Sequence, residues 1–246
     1  MQTHGPIASI AQWLHGIGIH IGPDTARAVG QAVDQGAQAA GTAMQQLDMA
    51  GLMALAAALG WASGFRLYAV TFLVGAMGAA GWLALPSGLS VLEHPLVLAV
   101  SGFMLLVEFF ADKVPWLDSA WDGINAFIRV PAGALLAAGV FGADNAAMGV
   151  AAGLLGGSLA ATSFAAKATA RAAINTSPEP FSNWLASLFE DGLVIAVVWL
   201  ATQYPVAFGI ALAVMVLLAI ALIALLYKFF KLVLHKLRRQ PAPATP

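Results

Sequence analysis

The sequence predicts an all-α fold, a polytopic transmembrane bundle of about six spans, and three observations carry that prediction. Of 246 residues, 60% are apolar and only 9% charged, against roughly a quarter charged in an ordinary soluble domain. Mean hydropathy is +0.83. The Lys and Arg residues gather at alternate connections between long charge-free runs, the distribution expected of a multi-pass membrane protein. The same composition narrows function. A formal net charge of −1 leaves no basic footprint for nucleic acid, and zero Cys removes disulfides, thiolate nucleophiles and Cys-ligated metals.

Three regions follow in chain order. Residues 1–48 form an N-terminal amphipathic extension: Arg27 is the only Lys or Arg in 1–47, and Pro6 and Pro23 interrupt the stretch, so no cleaved secretory signal is expected. Helical spacing appears over 7–19 and again over 24–47. The transmembrane domain covers 49–229. Its runs free of Asp, Glu, Lys and Arg are 67–92, 94–107, 130–143, 145–166 and 192–227, and a crossing takes about 20 apolar residues. Helices are expected near 51–82, 96–114, 128–142, 146–168, 184–203 and 206–229. In the first, Gly60, Ser63 and Gly64 stand just before Arg66, which predicts a broken helix there. Pro115 ends the second span, and the Trp116 to Ile128 stretch reads as a short cytoplasmic interfacial helix. Gln203, Tyr204 and Pro205 make the last hairpin. Residues 230–246 are a basic cytoplasmic tail.

Orientation follows from the bases. Lys113 and Arg129 flank the second connection, Lys167 and Arg171 the fourth, and Lys228, Lys231, Lys236, Arg238 and Arg239 the tail. Both termini are therefore expected in the cytoplasm. Three spans followed by three leave room for two inverted repeats: Gly51 through Gly60 to Arg66 resembles Gly149 through Gly156 to Lys167, and Glu93-His94-Pro95-Leu96 resembles Pro178-Glu179-Pro180-Phe181.

Charged residues at membrane depth mark function, because an ionised group there costs several kcal/mol unless paired or hydrated. Glu108 and Asp112 share a helix face, being four apart. Counted at 1.5 Å per residue, Glu108 lies roughly 20 Å below Pro95, and Glu190 and Asp191 lie at about the same depth below Gln203. Spans two and five are therefore expected side by side with their carboxylates facing, Arg66 or Lys167 close by. Asp118 and Asp122 share a face of the second connection, where several oxygen donors suit a hard divalent cation, with Arg129 snorkelling as the plainer alternative. Lys167, Arg171 and Asn175 recur every four residues and neutralise Glu190 and Asp191, or else meet lipid phosphate. Glu179 and Asn183 lie in the turn into span five. No zinc or nucleophile-elbow pattern is present, and no metal is assigned.

Four ordered motifs then carry a resemblance: Ala62-Ser63-Gly64-Phe65-Arg66, Phe110-Ala111-Asp112-Lys113 through Trp121-Asp122, Arg129-Val130-Pro131-Ala132-Gly133, and Ser177-Pro178-Glu179-Pro180-Phe181-Ser182-Asn183. Together they resemble a family of bacterial membrane proteins catalogued as a domain of unknown function, over about residues 50–225. The resemblance implies a bacterial inner membrane and supplies no activity. The expected function is a transport or permeation pathway for a cation or a proton-coupled small solute. The alternative is an anionic-lipid-handling or membrane-assembly protein without transport. No enzyme activity and no cofactor are expected. The partners are the bilayer and an ion or small solute, a homo-oligomer being open.

Overall fold

The computed structural model describes residue 31 and residues 49–142, 145–175 and 180–238. The rest of the 1–48 extension and the end of the basic tail lie outside the described residues. Among the described residues the regular structure is all helical: α1 Met49–Ala79, a 3₁₀ helix Ser87–Glu93, α2 Pro95–Ala111, α3 Pro115–Gly139, α4 Ala146–Ile174, α5 Pro180–Gln203 and α6 Pro205–Arg238. Proline opens four of the six α-helices, where its missing N–H costs nothing. Asn145 caps α4 by accepting from the Met148 N–H at 3.2 Å.

Among the described residues, four helices are by length and composition able to cross a membrane: Met49–Ala79, Ala146–Ile174, Phe181–Gln203 and Pro205–Leu232. The 3₁₀ helix with α2, bent by 67°, makes a fifth candidate. Large apolar side chains along α6, among them Ile210, Val214, Leu217 and Leu225, are exposed, as befits a helix solvated by lipid. The helix also runs on to Arg238, past the expected end at 229, so the basic tail begins as its continuation.

The expected break in the first helix is present and is sharper than a kink. Arg66 has φ −146° and ψ 82°, an extended residue between two helical limbs. From Gly60 to Phe65 the first limb keeps step with α4. A Cβ on Gly60 would stand 2.5 Å from the Gly156 Cα, Ser163 Oγ donates to the Trp61 carbonyl at 2.8 Å, and Lys167 Nζ donates to the Phe65 carbonyl at 3.2 Å. The second limb keeps step with α3 and opposes α2. Tyr68 donates to Asn125 Oδ1 at 2.8 Å, while Gly102 lies against Phe72 and Gly75 against Leu92 and Leu98. Because α3 and α4 are antiparallel, with Gly153 against Ala138, Gly157 against Val130 and Lys167 against Asp122, the two limbs run in opposite senses. α1 is a helical hairpin with Arg66 at its tip.

This geometry corrects two expectations. Residues 51–82 do not run in one direction but double back at Arg66, and Met49 begins at the end of the bundle opposite Lys113 and Arg171. Segments 51–66 and 149–167, whose likeness suggested inverted repeats, lie side by side in the same sense. The first limb forms the centre of the molecule. Residues 54–64 are buried without interruption, the signature of a helix apolar on every face, and Gly60, Gly133 and Gly156 let the backbones of α1, α3 and α4 approach closely.

The second connection is also corrected. No separate interfacial helix precedes the third span; α3 runs unbroken from Pro115 through Pro131 to Gly139. Its first half turns Asp122, Asn125 and Arg129 inward and leaves Ile124, Phe127 and Ile128 exposed. Spacings of three and four put the polar three on one face, and in lipid that face belongs inside.

Candidate functional site

Polar side chains at helical spacing on four helices converge on the hairpin tip. α2 and its C-cap supply Glu108 and Asp112, α3 supplies Asp122, Asn125 and Arg129, α4 supplies Lys167, Arg171 and Asn175, and α5 supplies Asn183, Ser187, Glu190 and Asp191. Arg66 closes the set. Arg66, Glu108, Asp112 and Arg129 are wholly buried, and Lys167, Arg171 and Glu190 nearly so.

Each base serves more than one acid. Arg66 Nη2 meets Asp112 Oδ2 at 2.5 Å, and its Nε meets Asp191 Oδ1 at 2.9 Å and Glu190 Oε2 at 3.6 Å. Arg129 pairs with Glu108 at 2.5 Å and Asp122 at 2.8 Å. Lys167 lies 3.2 Å from Asp122, 3.3 Å from Glu190 and 4.0 Å from Glu108. Arg171 meets Glu190 at 3.0 Å and Asp112 at 3.5 Å. Its Nη1 also donates to Asn183 Oδ1 at 3.1 Å, and Asn183 Nδ2 donates to Asn175 Oδ1 at 2.9 Å. Glu108 Oε2 and Asp112 Oδ1 have no hydrogen-bond partner although both are buried.

Eleven of the expected site residues thus meet in one network: Arg66, Glu108, Asp112, Asp122, Arg129, Lys167, Arg171, Asn175, Asn183, Glu190 and Asp191. Lys167 and Arg171 neutralise Glu190, whereas Asp191, expected to share them, pairs with Arg66. Arg129 does not snorkel; it is buried on Glu108. Spans two and five do not pack helix on helix: the second limb of α1 lies against both, Arg66 holds their acids from the middle, and Ser187 Oγ donates to Asp112 Oδ2 at 3.4 Å. Lys113 stays at the rim, donating to the Phe109 carbonyl at 3.0 Å with its ammonium 2.9 Å from the Phe109 ring centroid. Desolvation and the charge of Arg66 lower its pKa. The side chain of Asp118, and Glu179 entirely, lie outside the described residues. Asp122 faces two bases, and among the described residues no three acidic or His side chains form a metal group.

Sequence reasoning missed Ser187, Asn125 and Tyr68. Ser187 Oγ accepts from Arg66 Nη2 at 2.5 Å, and Tyr68 meets Asn125 below the hairpin tip. The signal was available: Asn183, Ser187 and Glu190 repeat on α5 the spacing of Asp122, Asn125 and Arg129 on α3, with the three- and four-residue steps reversed.

Two apolar grooves reach the cluster. One, about 360 Å³, lies among the first limb, α4, α5 and α6, where Trp61, Phe65 and Leu222 lead to Lys167, Arg171 and Glu190. The other, about 350 Å³, lies among the second limb, α2 and α5, with Asp191 as its one charged wall residue. A family model described as "Domain of unknown function (DUF4126)" matches residues 53–224. No curated protein and no solved structure matches the chain.

Proposed function

Since the chain belongs to the DUF4126 family, whose description assigns no activity, we propose a function from the cluster itself: a membrane pathway for a cation or a proton-coupled small solute, gated by exchange of ion-pair partners. The observation that carries this reading is the ratio and sharing of charge. Five carboxylates, Glu108, Asp112, Asp122, Glu190 and Asp191, meet four bases, Arg66, Arg129, Lys167 and Arg171, and every base contacts at least two acids.

Burying a charge costs several kcal/mol, and apolar side chains of equal volume commonly hold a fold as well or better. A stability role therefore does not account for nine such groups. Sharing does something a fixed pair cannot: a base can leave one acid for another without stranding either charge. The extra carboxylate calls for one more positive charge, a proton or a passing cation, with Lys113 at the rim the nearest further base.

The expected setting is a bacterial inner membrane, the connections bearing Lys113 and Arg171 and the tail facing the cytoplasm. The hairpin then starts Met49 at the opposite face.

The test is reconstitution. Purified protein in liposomes holding a pH-sensitive dye, challenged with a panel of monovalent cations under a pH gradient, should move protons or cations faster than protein-free liposomes. Equal rates across the panel would overturn the reading. A second reading, anionic-lipid handling, is favoured by the groove that ends at Lys167 and Arg171. It predicts tight co-purification of an anionic lipid with no flux.

A further inference from the structure

The groove among the second limb of α1, α2 and α5 has a chemistry of its own. Its walls are Ala69, Phe72, Leu73, Leu105 and Leu106 with Val194 and Ile195 opposite, and Asp191 is its one charged lining residue. Asp191 is also the least buried acid of the cluster, its side chain 27% exposed. It has a single base within ion-pair range among the described residues, Arg66, which Asp112 and Glu190 also hold. Beside it the Phe109 ring already carries an ammonium on its face, that of Lys113. The groove therefore combines an apolar cavity of ligand size with a partly exposed carboxylate whose base has other partners.

We propose that this groove binds a hydrophobic monocation, its apolar body between α2 and α5 and its charge at Asp191. Leu106, Phe109 and Ile195 on its lining are exposed apolar side chains, so such a ligand arrives from the bilayer. A neutral lipid chain would fit the walls but would gain nothing from Asp191. A hydrophobic anion would meet the carboxylate directly. Once a cation sits on Asp191, Arg66 keeps Asp112 and Glu190, and the hairpin tip is coupled to the bound ligand.

The inference rests on the pathway reading for the consequence of binding, and the two fail separately. Full-length protein in lipid nanodiscs is titrated with tetraphenylphosphonium, and with tetraphenylborate as an anion of the same shape. The cation should bind saturably and the anion should not. Asp191→Asn should weaken cation binding about tenfold, the loss of one charged contact. Leu106→Trp, which fills the groove from an exposed position without touching the cluster, should weaken it comparably. Binding unchanged in both variants, or equal uptake of cation and anion, would overturn the proposal. Proton flux that persists while neither ion binds would overturn it and leave the pathway reading standing.

Discussion

Replacing Arg129 by Met tests whether the cluster is a coupled, desolvated network. Arg129 is wholly buried, holds Glu108 at 2.5 Å and Asp122 at 2.8 Å, and lies 5.9 Å from the Phe164 ring. Met keeps most of the volume and removes the charge. Lys167 still reaches Asp122 at 3.2 Å, but Glu108 only at 4.0 Å, so Glu108 is the group left uncompensated. Breaking a buried pair from one side costs about 3–5 kcal/mol, and the remaining Lys167 contact places Arg129→Met near the lower end. Glu108→Gln should cost a similar amount for the opposite reason. The double variant leaves neither charge exposed to low dielectric. It should lie close to either single, with a coupling of at least about 2 kcal/mol, against about 0.3–0.5 kcal/mol of scatter for independent sites. The assay is equilibrium unfolding of purified protein in mixed detergent micelles, run as a double-mutant cycle. Additive losses, or an Arg129→Met loss under about 1 kcal/mol as for an exposed pair, would refute the reasoning.

Glycine substitutions should divide by location. Gly60→Ala puts a Cβ 2.5 Å from the Gly156 Cα and should destabilise by about 1–3 kcal/mol. Gly192→Ala on α5 meets nothing within 4 Å and should be neutral or stabilising by up to about 1 kcal/mol; thermal unfolding of the two variants checks both. The chain has no Cys, so single cysteines report sidedness cleanly. Ala50→Cys should label from the same face as Ser87→Cys and opposite to Ala120→Cys, whereas labelling of Ala50→Cys together with Ala120→Cys would restore an unreversed first helix. Spin labels at Leu52→Cys and Met77→Cys should lie well inside the roughly 37 Å that 25 residues of straight helix would span.

Most of the site was legible because charge in an apolar helix is rare and its spacing names a face. Glu108 with Asp112, and Lys167 with Arg171 and Asn175, needed only the helical repeat to be placed together. What escaped was direction. Residues 54–64 are buried all round, so their pattern has no polar side to show where the limb points, and a run of that kind reads alike going in or coming out. The amphipathic first half of α3 shows that Asp122 and Arg129 share a side but not whether that side meets water or the bundle, and in lipid it turned inward. Counting depth along α2 and α5 put Glu108 and Glu190 at one level, and Lys167 lies within 4.0 Å of both, yet depth says nothing of lateral order, and the second limb lies against both helices.

The central claim, that exchange within this cluster gates movement of charge across the membrane, is tested most directly by flux through Glu190→Gln. Glu190 lies within 3.6 Å of Arg66, Lys167 and Arg171, and Gln removes its negative charge with little change of shape. With size-exclusion and circular-dichroism profiles matched to the unmodified protein, proteoliposome flux is measured from about pH 5 to pH 8. The account predicts a profile displaced along the pH axis or flattened. A profile superimposable on that of the unmodified protein at every pH would contradict it.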